Sequence, residues 1–126
     1  MTAVANVLNA QFARLQASYS GASLEPQGDG TAWVTIPGLV TSPAWNQERA
    51  TVRFVVPVGY PAAAPDCFWV EHPFTLKSGA PPLNTGAQPP FPGLLWFSYH
   101  VQSWAPPNIT LLTYVGVIRQ RLNAGN

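Results

Sequence analysis

Charge is what this sequence has least of. Only 9% of its 126 residues are Asp, Glu, Lys or Arg, against a usual ~25%. Five acidic and six basic side chains leave a formal net charge of +1. Such a chain carries no basic field for a nucleic-acid duplex and no Lys/Arg patch for an anionic membrane, so neither is expected as a partner. Cysteine is almost absent. A single thiol, Cys67, excludes an internal disulfide and any thiolate-rich zinc or iron–sulfur site. With two histidines and five scattered carboxylates, no metal site is expected either. No apolar run approaches the ~18 residues of a membrane span. The first residues, Met1 to Asn6, lack the basic n-region of a signal peptide. A soluble cytoplasmic protein is therefore expected. No phosphate loop is present, and no cofactor is implied.

What is there is apolar: 47% hydrophobic residues and 12% aromatics, enough for one packed core in one domain over residues 1–126. A surface with so few charges also hints at coverage by a partner. Residues 3–18 read as a helix, with Val4, Val7, Leu8, Phe12 and Leu15 at helical spacing and Gly21 beyond to end it. Residues 23–27 form a short candidate strand, and Gly28-Asp29-Gly30 a turn. Residues 31–36 are rich in β-formers, and Pro37-Gly38 is expected to break that strand. In residues 50–58, Val52, Phe54, Val56 and Val58 alternate with their neighbours and share one face. The Gly59-Tyr60-Pro61 turn follows, then a short, buried strand at 67–71. Residues 72–92 are a Pro/Gly-rich loop without periodicity, and long ordered loops in compact domains tend to be functional. Residues 94–101 are a compact apolar segment. Pro106-Pro107-Asn108 is expected to open a second helix, with Asn108 as its cap and Leu111, Val115, Ile118 and Leu122 as its apolar stripe. Arg119 and Arg121 in its last turn suit the helix dipole. Helix, about four strands, long loop, helix is an α+β order with an antiparallel meander.

Particular residues narrow this order. Tyr60-Pro61 with Pro65, Trp104-Ala105-Pro106, and the helix from Leu111 resemble the ubiquitin-conjugating-enzyme (UBC) superfamily. In that family an N-terminal helix precedes a four-stranded meander, a Tyr-Pro turn follows the third strand, a long segment carries the active site, and a Trp-x-Pro motif leads into a helix. Ser98-x-His100-x-x-x-Trp104-x-Pro106, followed by Leu111 and Tyr114, is similar to the bacterial branch, whose members are encoded beside ubiquitin-like proteins, activating-enzyme-like proteins and deconjugating peptidases. The motifs cover about half the chain; element order covers the rest. The resemblance implies a UBC-like α+β fold and, as partners, an activating-enzyme-like protein and a ubiquitin-like modifier. Any ATP would be consumed by the activating enzyme.

One departure bears directly on function. In the eukaryotic enzymes the nucleophilic cysteine lies eight residues before the motif tryptophan. Counted back from Trp104, that position is Trp96, in Gly93-Leu94-Leu95-Trp96. The family's His-Pro-Asn is also broken, because His72-Pro73 is followed by Phe74. Thiol transfer needs a thiolate, and Cys67 falls in an expected core strand, where a lone cysteine usually acts as a small hydrophobe. Ser98, two residues past the family's cysteine position, is the alternative nucleophile, provided that a base takes its proton. His100 shares a face with it if the segment is extended, and does not if it is helical. A structural role competes and is the commoner one for a Ser-x-His beside aromatics: His100 capping a carbonyl, Ser98 satisfying a buried amide. Asp66 and Glu71 have no spacing that pairs either with a particular histidine. Trp104 reads as a core anchor and Tyr60-Pro61 as a structural turn. Trp45 and Trp96 are candidates for exposure, and Trp96, Tyr99 and Phe91 form the expected binding set.

Three functions compete. The chain carries a modifier as an oxyester on Ser98; or it is a catalytically inactive UBC-variant scaffold that binds the activating enzyme or the modifier; or it is an unrelated α+β binding module. The first two keep the UBC fold and a bacterial ubiquitin-like conjugation pathway.

Overall fold

The computed structural model describes residues 3–99, 101 and 110–126. Expectations on His100, Trp104, Ala105, Pro106 and Asn108, and on the side chain of Val4, lie outside the residues so described. Helix α1 (Ala3–Ser18) is followed by strands β1 (Ser23–Pro26), β2 (Ala32–Val40), β3 (Arg49–Val56), β4 (Phe68–Val70), β5 (Thr85–Gly86) and β6 (Leu95–Phe97), then helix α2 (Leu111–Asn123). All strand pairs are antiparallel, in the order β1-β2-β3-β4-β6-β5. The expected four-stranded meander is present. Two short strands extend it: β5 lies within the 72–92 region read as a loop without periodicity, because a two-residue strand leaves no pattern in sequence, and β6 lies in the apolar segment 94–101.

Period-two alternation builds the core. On β2 and β3, Val34, Ile36, Val52, Phe54 and Val56 are buried, and Phe68, Val70 and Phe97 continue that face. The helices cover it. Leu15 of α1 and the stripe Leu111, Val115, Ile118 and Leu122 of α2 are buried, with Tyr114 beside Phe54 at 5.0 Å between ring centroids. Fully burying one such side chain is worth about 1.5–3 kcal/mol, so this one face supplies most of the driving force.

Three local expectations are corrected. Pro37-Gly38 does not end β2. The strand runs on to Val40 through a register shift between Ile36 and Leu39, with Gly38 at φ 74°, so a bulge absorbs the two residues that cannot sit in a regular ladder. The α2 cap is Thr110: its hydroxyl accepts from the Thr113 N–H at 3.4 Å while the Thr113 hydroxyl accepts from the Thr110 N–H at 3.2 Å, a reciprocal capping box. Trp45 is not exposed. It is 1% accessible, stacks on Phe74 at 4.3 Å, and donates its indole N–H to the Leu122 carbonyl at 2.6 Å. Spacing could not show that partner, which is 77 residues away.

The Tyr60-Pro61 turn is structural, as expected. Tyr60 is buried and its hydroxyl donates to Gln11 Oε1, which also accepts from the Leu111 N–H at 3.1 Å. One amide thus ties α1 to the turn and to the first residue of α2.

Candidate functional site

The register of β4 against β6 sets the site. Phe68 pairs with Phe97, Trp69 with Trp96 and Val70 with Leu95. The ladder continues through Arg53↔Trp69 on one side and Gly86↔Trp96 on the other. Trp96, the residue reached by counting back eight from Trp104, therefore stands mid-ladder and half-buried. A Cβ on Gly86 would meet its ring at 3.5 Å. An indole here closes the space a small reactive side chain would leave open.

The thiol is close by. Cys67 immediately precedes β4 and is 7% accessible. The Trp96 indole and the Asp66 carboxylate lie near enough to act on its thiol. Its N–H donates to the Tyr99 carbonyl at 3.1 Å, and its own carbonyl accepts from the Tyr114 hydroxyl at 2.6 Å. Its φ of 62° is left-handed, a conformation rare for a residue with a Cβ. These two backbone bonds fix it. Burial pushes the Cys67 thiol up from its ordinary 9.0; the Asp66 charge acts in the same direction, while the Tyr99 backbone and the Trp96 indole oppose them. The net effect keeps the sulfur protonated at neutral pH, the opposite of what a transferring thiol needs.

Ser98 lies just beyond β6. Its N–H donates to the Asn84 carbonyl at 2.8 Å, which continues the β5–β6 register by one residue, so this piece of chain is extended. The residue is half-buried. Its sequence partner His100 lies outside the described residues. Tyr99 is half-buried against the core.

Phe91, the third member of the expected binding set, is 7% accessible. It packs edge-on against Trp33 at 4.8 Å and Trp69 at 5.3 Å, with the Arg53 guanidinium 5.5 Å from its ring centre. The Trp69 indole also donates to the Gln88 carbonyl at 3.0 Å. Part of the Pro-rich segment is thus a strap over the sheet face that the helices leave uncovered. Phe74, which follows His72-Pro73, is buried in the core, and His72 is exposed.

Sequence reasoning gave Arg121 only a dipole role. It is 6% accessible, lies 5.0 Å from the Phe97 ring centre, and donates to the Leu83 carbonyl at 2.7 Å and to Asn126. It fastens the chain just before β5 to the end of α2. Nothing local in the sequence gave a sign of this, because the Leu83 carbonyl is 38 residues away. Among the described residues no group of three or more His, Cys, Asp or Glu is placed to hold a metal ion, and no helix is long and apolar enough to cross a membrane.

A sequence model of prokaryotic E2 family E matches residues 16–125. No curated protein and no solved structure matches the chain. The family match runs from within α1 to Gly125, two residues beyond the end of α2, and takes in every strand, including both that frame Trp96. The chain belongs to prokaryotic E2 family E, and is a UBC-like component of a bacterial conjugation system.

Proposed function

We propose that this component binds the activating-enzyme-like protein and the ubiquitin-like modifier, and that Ser98 receives the modifier as an oxyester. The observation that carries the reading is the contrast between two side chains at one end of the sheet: Cys67 is shut in by the Trp96 indole and held protonated, while Ser98 is partly accessible on extended chain two residues past Trp96. In the transfer, the Ser98 hydroxyl oxygen attacks the carbonyl carbon of the modifier's thioester on the activating enzyme. A C–O bond forms, the C–S bond breaks, and the serine proton ends on the departing thiolate. His100 is the residue the sequence offers as the intermediate base.

The test is incubation of the chain with activating enzyme, modifier and ATP. A hydroxylamine- or base-labile adduct is expected, present in Cys67→Ala and absent in Ser98→Ala. An adduct that survives Ser98→Ala rejects the assignment. The scaffold reading is favoured by one observation, the indole at the nucleophile position; it predicts a stable complex with either partner and no covalent adduct at all.

A further inference from the structure

A groove of about 790 Å³ opens at the far end of the sheet from Trp96. Its walls are the end of α1, the β2 bulge, the first residue of β3 and one face of α2. The strand register fixes the separation. The groove lies at the Leu39↔Ala50 end of β2 and β3, whereas the candidate site is built on Phe68↔Phe97 of β4 and β6, on the other side of β3 in the sheet. None of Trp96, Ser98 and Cys67 lines it.

Three features of the groove stand out. The first is unbalanced charge. Arg49 and Arg119, two of only six basic residues, line it, and none of the five carboxylates does. Their hydrogen-bond partners are neutral: Arg49 donates to the Gly38 carbonyl at 3.1 Å and Arg119 to the Tyr19 hydroxyl at 3.4 Å. Among the described residues the ion pair found is Arg53 with Glu71, away from this groove. Each guanidinium keeps donors aimed at solvent, because a guanidinium has five. The second is exposed apolar surface: Val40 is 50% and Leu112 39% accessible, and both line the groove. The third is Gly116. Glycine inside a helix is destabilising relative to alanine, yet a Cβ here would meet nothing within 4 Å. No packing constraint calls for it. Leu112, Gly116 and Arg119 follow at i, i+4 and i+7 on one helix face, so the glycine sits between the apolar wall and the cation and leaves the floor open.

We propose that this groove is a docking site for an acidic segment of a partner polypeptide, seating one apolar side chain between Val40 and Leu112 with flanking carboxylates on Arg49 and Arg119. Charge complementarity requires the anion. The apolar walls are what a bare phosphate would leave uncovered, and they select a peptide. A segment bound here leaves the Trp96 end free, so docking and modifier transfer would not compete. The inference does not depend on Ser98, and its test uses no transfer reaction.

The probe is a fluorescein-labelled acidic pentapeptide, two glutamates before a central leucine and two aspartates after it, titrated with the full chain and read by anisotropy. Salt-sensitive binding is expected. Arg119→Gln, Arg49→Gln and Gly116→Leu should each weaken it by about tenfold or more, the first two by removing charge and the third by filling the floor. Gly116→Leu also raises helix propensity, so the fold survives it, with unchanged circular dichroism as the control. Amide shifts on peptide addition should centre on Leu112, Gly116 and Gly38. Four results would overturn the proposal: no binding; binding undiminished in Gly116→Leu; equal affinity for the peptide with glycine in place of leucine, or displacement by equimolar inorganic phosphate, which reveal an anion site only; or shifts that map elsewhere.

Discussion

The two faces of the sheet are built by different means. The inner face carries aliphatic and aromatic side chains from alternate positions and is sealed by two helices. The outer face carries Trp33, Arg53 and Trp69, and a short irregular stretch seals it by laying Phe91 among them. A helix contributes a repeating apolar stripe, so losing one contact leaves others in place. A strap contributes one ring. The inner face should therefore hold the fold, and the outer face should govern only the local order of the segment that leads into β6.

Truncating a ring on each face tests this directly. Phe54→Ala removes a fully buried side chain that touches Tyr114, and should cost about 3–5 kcal/mol in urea unfolding, a large part of a small domain's stability. Phe91→Ala should cost less, about 1–3 kcal/mol, because the strap can relax and water can reach the vacated space. Its signature should be local: red-shifted emission from Trp33 and Trp69 and faster proteolysis within residues 86–94, with the far-ultraviolet spectrum kept. Equal costs for the two would mean that the strap is part of the cooperative core.

The same contrast explains what could be read in the sequence. The inner face was legible because burial on one side imprints a period: the alternation through Val52, Phe54 and Val56 and the stripe through Leu111, Val115, Ile118 and Leu122 each correspond to buried positions. The outer face was not. Phe91 sits between Pro90 and Pro92 with no periodic neighbours, and its contacts are with Trp33 and Trp69, 58 and 22 residues away, which no local pattern records. Trp45 was misjudged for the same reason. At the candidate site, the count back from Trp104 picked out Trp96, and the apolar run that follows Cys67 anticipated its burial, although Cys67 stands just before β4 and not in the expected strand. The proximity of these two depends on strand register, which is set by pairing β4 with β6 across the intervening residues 71–94.

A difference in pH response should follow from the buried hydroxyls of the inner side. Burial pushes the Tyr60 hydroxyl up from 10.0 to about 12, against the opposing effect of the Leu111 backbone, and pushes Tyr114 and Cys67 upward as well. In the unfolded chain these groups ionise near their ordinary values. Above pH 10.0 the unfolded state has therefore released tyrosine protons that the folded state retains, and stability is full below that pH and falls as pH rises towards about 12. The urea midpoint should drop between pH 10.0 and about pH 12, and Tyr60→Phe should flatten the decline. A midpoint as steep in Tyr60→Phe as in the parent would remove Tyr60 from the account.

The smallest effect belongs to the outer face. Arg53 and Glu71 approach to 3.2 Å, with their side chains 33% and 41% accessible. An ion pair so open to water gains little over its hydrated ions, so Glu71→Gln should cost under about 1 kcal/mol and the difference should vanish in molar salt. Arg53 differs from its partner because its guanidinium also covers Phe91. Arg53→Gln should cost more than Glu71→Gln, and the excess should persist in high salt, since it comes from packing and ring contact and not from the screened pair. If Phe91→Ala is made first, that excess should disappear while the Glu71→Gln cost stays the same. A double-mutant cycle that finds Arg53 coupled to Glu71 but not to Phe91 would mean that the strap is held by its own backbone bonds, such as the one from the Trp69 indole to Gln88, and that the aromatic cluster merely fills space.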